Sequence, residues 1–247
     1  MPKLLVNTLK ILLFCSISCQ LFAQKTVIRN DFYWLRYNNV LTLNQKLFWV
    51  NEFEERRFFV NNNHHNFTAH SHLHYRYLPN AEITQGVTFS LQSPQDPESK
   101  STLRVPEIRP FQETVYSTAL NTKLNMVQRL RIDNRFVRKN NGLVLLDGYD
   151  FNLRFRYRLQ AVYRPSKPEN KHPLTFKVGN EIMLNAGKRI VYNQFDQNRI
   201  DTSVEYAFNK NFAFELGYIH WYQQRSVGNL FYSRNVLRIT LFHRIKL

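Results

Sequence analysis

The residues with the most chemistry to offer are charged, and they recur at every second position. Arg129, Arg131, Asp133 and Arg135 form one row, and Arg154, Arg156 and Arg158 another. Glu52, Glu54 and Arg56 make a third, followed by Glu107 with Arg109, Lys177 with Glu181, and Arg199 with Asp201 and Glu205. Side chains two apart on a β-strand share a face, so these rows would gather guanidinium and carboxylate groups on common surfaces. Opposite charges on adjacent strands can pair and fill a small enclosed space. Rings of arginine and lysine can instead favour anions in a narrow pore.

Imidazole provides a second row: His70, His72 and His74, preceded by His64 and His65. Alternate strand residues lie roughly 6.6–6.8 Å apart, and zinc sits about 2.0–2.1 Å from a ligating nitrogen. Two neighbours could chelate one ion, but all three could not without distortion. No cysteine or nearby carboxylate obviously completes a site, so the three are weak metal candidates and no cofactor is expected. The plainer reading is a wet row of histidines titrating near neutral pH. Hydroxyls are the third possibility, with Ser71, Ser90, Ser117 and Ser203 on or near candidate strands and His220 and His243 late in the chain. A serine nucleophile needs a base that is itself oriented by a third group. No local motif marks such a set. A lipid hydrolase is therefore an alternative with no catalytic residue assigned.

The elements that would hold these rows are long. From Thr122 to Arg164, Leu124, Met126, Leu130, Ile132 and Phe136 share one parity against the charged residues. After a polar loop, Phe151, Leu153, Phe155, Tyr157, Leu159 and Tyr163 do the same. A globular strand averages about five or six residues, whereas a transmembrane barrel strand needs about 9–11. Further alternating segments are expected at Thr26–Tyr37, Asn44–Arg57, His65–Leu78 and Glu82–Gln92, then Leu174–Asn185, Asn198–Phe208, Asn211–Gln224 and Leu230–Lys246. Arg104–Ala119 is less regular. Pro106 and Pro110 would weaken its ladder, which predicts a bent strand or one partly outside the bilayer.

Short connections near 41–43, 79–80, 120–121 and 209–210 alternate with longer polar ones at 61–65, 93–103, 139–148 and 187–195, the pattern of outer-membrane barrels. The fold expected is all-β, an antiparallel transmembrane barrel of about 10–12 strands. Eleven segments are visible, and because bacterial barrels have even strand numbers, twelve is the preferred count. Aromatic residues make up 15% of the chain, as membrane-interface belts would require, but seven glycines is few for a barrel.

The chain opens with Lys3 and Lys10, an apolar run from Ile11 to Phe14, and Ala23 at a plausible cleavage point. This predicts a signal peptide over 1–23 and a barrel domain over 24–247. Both cysteines, Cys15 and Cys19, fall in the leader, and Cys19 is a poor candidate for lipidation because Ser16-Ile17-Ser18 precedes it. The formal charge is +16, or +14 without the two leader lysines. In a cytosolic protein that excess would point to nucleic acid. An exported chain meets anionic surfaces instead. The partners expected are outer-membrane lipid and lipopolysaccharide, with periplasmic chaperones and the barrel-assembly machinery during biogenesis, and no nucleic acid. The location expected is the outer membrane of a Gram-negative bacterium. The oligomeric state is open. A soluble periplasmic barrel or sandwich that binds a small molecule is a further alternative, and it requires polar outward faces.

The segment Phe195–Phe208, FDQNRIDTSVEYAF, begins with Phe195, Asp196, Gln197, Asn198 and Arg199. It resembles the aromatic-Asp-Gln-Asn-Arg start of an uncharacterised family of outer-membrane proteins common in Bacteroidetes, domain of unknown function 2490. GNEIMLN (Gly179–Asn185) and ELGYIHWYQQR (Glu215–Arg225) resemble the flanking strands of that family. PEIRPFQ (Pro106–Gln112) and Arg129–Arg135 are similar to its Glu/Arg-rich strands. The resemblance spans nearly all of the chain after the leader. It implies fold and location and brings no mechanism.

Overall fold

The protein is described from a computed structural model over residues 25–165 and 172–247. The expected signal peptide, with Cys15 and Cys19, lies outside the described residues. Eleven strands follow one another: β1 (Thr26–Thr42), β2 (Leu47–Phe58), β3 (His64–Leu78), β4 (Ala81–Gln92), β5 (Val105–Ala119), β6 (Leu124–Asn140), β7 (Leu145–Tyr163), β8 (Leu174–Ala186), β9 (Phe195–Ala207), β10 (Phe212–Gln224) and β11 (Leu230–Lys246). Each pairs with its sequence neighbour, and β1 closes on β11 to complete a barrel. Lengths of 12 to 19 residues suit the long alternation of the sequence.

The preference for twelve strands is corrected to eleven. An odd up-and-down count makes the first and last strands run the same way, and β1 pairs with β11 in parallel from Thr26↔Leu230 to Thr42↔Lys246 without a break. Parallel ladders use evenly spaced, slanted hydrogen bonds and close a sheet as completely as antiparallel ones. The register keeps even-numbered residues of both strands inside, with Phe32 beside Val236 and Trp34 beside Arg238. The irregular β5 is a barrel strand between β4 and β6, with the weakened ladder expected of its prolines on the β6 side. Its ladder to β6 skips Arg109 and Pro110, the local cost of an imino acid without an N–H. Asn134 Nδ2 donates to the Pro110 carbonyl at 3.4 Å.

The hairpin chemistry explains the scarcity of glycine. Asn44 Oδ1 accepts from the backbone N–H groups of Lys46 and Leu47, Asn121 from Lys123 and Leu124, and Asn209 from Asn211 and Phe212. The same asparagine side-chain turn thus serves three hairpins at one end of the barrel, where a glycine turn would otherwise be expected. Asn141 repeats it at the opposite end, capping a β6–β7 hairpin whose connection is only 141–144. The polar loop expected over 139–148 is largely strand. The barrel therefore has a short-turn end and a long-loop end, the latter carrying segment 93–104 and the β6–β7 extension.

Every strand from β2 to β11 carries exposed apolar residues on its outer face, with Ile83, Leu130, Val178 and Ile200 each at least half exposed. Aromatic rings form two bands around this surface. Near the short turns lie Tyr163 with Phe176, Tyr206 with Phe208, and Phe212 stacked on His243. Near the long loops lie Phe136 with Phe151, Tyr33 with Phe59, and Tyr222 stacked on Phe231. Among the described residues no helix is long and apolar enough to cross a membrane.

Candidate functional site: the charged barrel interior

The rows legible in the sequence converge on one enclosed space. Arg131 Nε donates to Asp133 at 2.7 Å, Arg156 holds Glu181 at 2.8 Å, and Arg129 reaches the same Glu181 oxygen. Arg56 pairs with Glu54 at 2.8 Å, Arg158 with Asp201 at 3.2 Å, and Glu52 with Arg36 at 3.3 Å. Glu107 is completely buried and takes Arg135, Arg109 and the Gln92 amide. Charges taken from water are costly unless paired and hydrogen-bonded, so this density of pairs is what lets the rows point inward at all.

Two halves differ. Toward the short turns the charges alternate and close on each other. Lys177 Nζ lies 2.6 Å from both Glu205 and Glu215; Arg244 takes the other Glu205 oxygen at 2.8 Å, and Arg238 the other Glu215 oxygen at 3.0 Å. The histidine row continues this closed region. His72 Nε2 lies 3.1 Å from Glu52, His72 Nδ1 lies 2.7 Å from His74 Nε2, and His74 Nδ1 lies 2.9 Å from Thr84 Oγ1. One set of neutral tautomers satisfies the whole chain: Thr84 donates to His74, His74 to His72, and His72 to Glu52. His70 Nδ1 is 2.7 Å from Thr88 Oγ1. The three weak metal candidates are therefore committed to hydrogen bonds, and among the described residues no group of three or more His, Cys, Asp or Glu forms a metal cluster.

Seating His72 and Phe111, the register partners of Gly86 on β3 and β5, depends on that glycine. A Cβ there would sit 2.4 Å from the His72 Cβ and 2.6 Å from the Phe111 ring. Phe111 is fully buried and carries the Arg131 guanidinium 3.5 Å above its face. The ring and the cation together form a floor between the two halves.

Toward the long loops the interior opens into a cavity of about 180 Å³. Its walls mix guanidinium groups with the indoles of Trp34 and Trp221, which belong to a buried cluster with Phe32 and Phe58. Arg56 lies 3.8 Å over Trp34, and Arg199 lies 4.4 Å over Trp221, close enough for cation–π attraction. Two β-bulges furnish this half. At β2–β3 the register passes from Arg56↔Asn66 to Arg57↔His64, which leaves His65 and Asn66 both buried. At β8–β9 it passes from Met183↔Gln197 to Leu184↔Phe195, burying both Asp196 and Gln197. A bulge places two residues opposite one and re-aims a side chain, which strict alternation cannot do.

The second bulge gives the Asp-Gln-Asn-Arg segment its structure. Asp196 accepts Arg154 at 2.8 Å and the Gln197 amide at 2.8 Å, while Gln197 Oε1 accepts Arg199 Nε at 2.9 Å. Gln197 is thus a polarised link between an ion pair and a guanidinium that has no carboxylate of its own. Asn198 faces outward and exchanges amide hydrogen bonds with Asn180 at 3.0 and 3.1 Å, and Phe195 packs near Tyr222.

The alternation also left interior groups unassigned. Arg36, Glu113, Glu215, Arg234, Arg238 and Arg244 all belong to the network. The signal was present in RNVLRITLFHR, where Arg234, Arg238 and Arg244 share a parity. Glu215 was masked because Gly217, Ile219 and Trp221 on the same face read as apolar. Among the described residues Ser71, Ser90, Ser117 and Ser203 make no hydrogen bond to a histidine. Ser71 faces outward between Trp49 and Asn51, Ser90 donates to Asn66, His220 sits by Asn235, and His243 by Tyr37.

A closed eleven-stranded β-barrel with an apolar exterior and an ion-paired interior is the class that these features define. The chain belongs to the family described as protein of unknown function DUF2490, whose model matches residues 32–232. That span runs from Phe32 inside β1 to Tyr232 inside β11, so it takes in the bulges, the histidine row and the cavity. No curated protein matches the chain.

Proposed function

We propose that the protein is an outer-membrane β-barrel whose interior is packed shut, a structural or ligand-holding barrel and not an open pore. The observation that carries this reading is the inside-out distribution of side chains. Buried Glu107, Asp133 and Arg234 lie within, while aliphatic and aromatic residues cover much of the outside of a barrel that no helix among the described residues shields. A soluble barrel would expose that surface to water, where contiguous apolar patches rarely exceed a few hundred Å². The spacing of the aromatic bands supports the same reading. Phe212 and Tyr222 are ten residues apart on β10, about 33 Å along the strand and about 25 Å along the axis at ordinary tilt, the height of a membrane barrel's apolar band.

Lipid and lipopolysaccharide would then surround the apolar band, and periplasmic chaperones and the assembly machinery would deliver the chain. The odd strand count departs from the even numbers of bacterial single-chain barrels. Parallel closure meets the requirement behind that rule, which is a barrel without a free edge. Fractionation tests the proposal: high salt and alkaline carbonate should leave the protein in the outer-membrane pellet. Detergent should release a species whose gel migration changes on boiling. Release into buffer without detergent would overturn it.

A second reading, a hydrolase acting on outer-leaflet lipid, is favoured by one arrangement at the long-loop rim. Ser93 Oγ lies 2.6 Å from His64 Nδ1, and His64 Nε2 lies 3.7 Å from Glu55. A cavity of about 230 Å³ beside them is lined by Lys100 and Arg104. Nucleophile, base and acid stand in order, although the last distance exceeds a hydrogen bond. Loss of ester cleavage from outer-membrane lipid in Ser93→Ala would establish this reading. Unchanged lipid acylation with and without the wild-type protein would remove it.

A further inference from the structure

The long-loop cavity has a property that neither membrane residence nor packing requires. Twelve arginines line it against five carboxylates. Four more carboxylates, Glu113, Asp133, Asp196 and Glu215, reach those arginines from behind, which still leaves three positive charges in excess. The excess is localised. Among the described residues neither Arg199 nor Arg225 forms an ion pair within 4 Å: Arg199 is bonded to the Gln197 amide oxygen while its cross-strand neighbour Glu181 is held by Arg129 and Arg156, and Arg225, at the mouth, lies 5.1 Å over Tyr232. Just behind the wall, fully buried Arg234 is held by two neutral amide oxygens, Gln223 and Gln95, each at 2.9 Å.

Hydrogen-bonding capacity points the same way. Among the described residues of the cavity wall, the buried polar side-chain atoms without a hydrogen-bond partner are indole and guanidinium nitrogens, with His65 Nδ1 the one exception. Three of them, Trp34 Nε1, Trp221 Nε1 and Arg238 Nε, belong to side chains more than nine-tenths buried. Indole and guanidinium N–H groups donate and cannot accept. The short-turn half is the internal control, because there Lys177, Glu205, Glu215 and Arg244 neutralise one another within 3 Å. A wall with surplus positive charge and surplus donors is complementary to a compact group that is negative and accepts at several oxygens.

We infer that the cavity binds a tetrahedral oxyanion, the phosphate or sulfate group of a small ligand entering from the long-loop end, between Trp34, Trp221, Arg56 and Arg199. About 180 Å³ holds such a group with little besides it, since pockets for drug-sized ligands start near ~300 Å³. The inference goes beyond the membrane reading, for it concerns only the interior and is tested in micelles.

The chain has three tryptophans, and Trp49 faces outward. Trp49→Phe therefore leaves the two cavity indoles as the only tryptophan emitters. Titrating this variant of the intact protein in detergent with inorganic phosphate, sulfate and pyrophosphate should give saturable changes in emission. Half-saturation is expected at ~1 mM or below. Chloride at matched ionic strength should not reproduce them. Arg199→Gln, which strands no carboxylate, should weaken binding roughly tenfold or more, the effect of losing one charge-assisted contact. If that variant does not assemble, Arg225→Gln at the rim carries the same expectation. No response from an assembled barrel to any of the three anions would overturn the inference. So would an equal response to chloride, or full affinity in whichever of the two arginine variants assembles. Heat-modifiable migration of the same sample reports on the membrane-barrel reading separately.

Discussion

The two halves of the barrel interior are built from the same side chains and behave differently because of how the charges are counted out. In the short-turn half Lys177 stands between Glu205 and Glu215, and Arg244 and Arg238 complete the chain. Each charge there is answered by another within 3 Å, and the histidine row is saturated by Thr84 and Glu52. In the long-loop half Arg199, Arg225 and Arg234 form no ion pair among the described residues, and aromatic faces and amide oxygens take up part of their field. On the reading proposed above, the first half acts as a plug, and the second as a receptor for negative charge. A lumen lined with arginine is therefore not by itself a pore. What matters is whether carboxylates match the arginines level by level.

Substitutions can break or sharpen this contrast. The largest effect is expected from Lys177→Met, which removes the cation shared by Glu205 and Glu215 and leaves them only Arg244 and Arg238. Removing one partner of a buried ion pair costs about 3–5 kcal/mol, so the denaturant midpoint in micelles should fall sharply. A midpoint within error of wild type would show that the plug is not held by this lysine. Next is Gly86→Ala, which drives a methyl group into His72 and Phe111. Overpacking of this kind costs about 1–3 kcal/mol, read as earlier loss of the unboiled gel species. An unshifted transition would mean that the floor between the halves is loosely packed. Asn121→Ala removes two 2.9 Å acceptor contacts from a short turn. It should cost about 1 kcal/mol, and an effect near that of Gly86→Ala would mean that the turn, not the fill, sets stability. Smallest is Arg199→Gln. It removes a cation with no carboxylate partner, so a stability change below about 1 kcal/mol is expected. A loss as large as that of Lys177→Met would erase the distinction between the halves.

Much of this fold was legible because a barrel strand obeys one rule along its whole length. The Arg129–Arg135 and Arg154–Arg158 rows face inward as their parity requires, and Leu130, Ile132 and Phe155 face out. What escaped detection lies where that rule is suspended. The bulges at His65 and at Asp196 bury consecutive residues, and neither carries a glycine or proline to mark it. The aromatic cluster of Phe32, Trp34, Phe58 and Trp221 gives β1, β2 and β10 apolar residues on both faces, so their inward side could not be told from the outward one. Parallel closure was hidden for another reason. Alternation fixes which face a residue takes and carries no record of which strand lies across the seam. The Ser93–His64–Glu55 set joins residues from β2, β3 and a long loop, and only the barrel brings them together.

Planar-bilayer recording of the detergent-extracted, heat-modifiable protein tests the closed interior most directly. With Lys177, Glu205, Glu215 and Arg244 closing the short-turn half, the wild-type barrel should insert and give no steady conductance steps under applied voltage. Stable steps with anion-dependent reversal potentials in a salt gradient would contradict the account and make the arginine-lined cavity the vestibule of a pore.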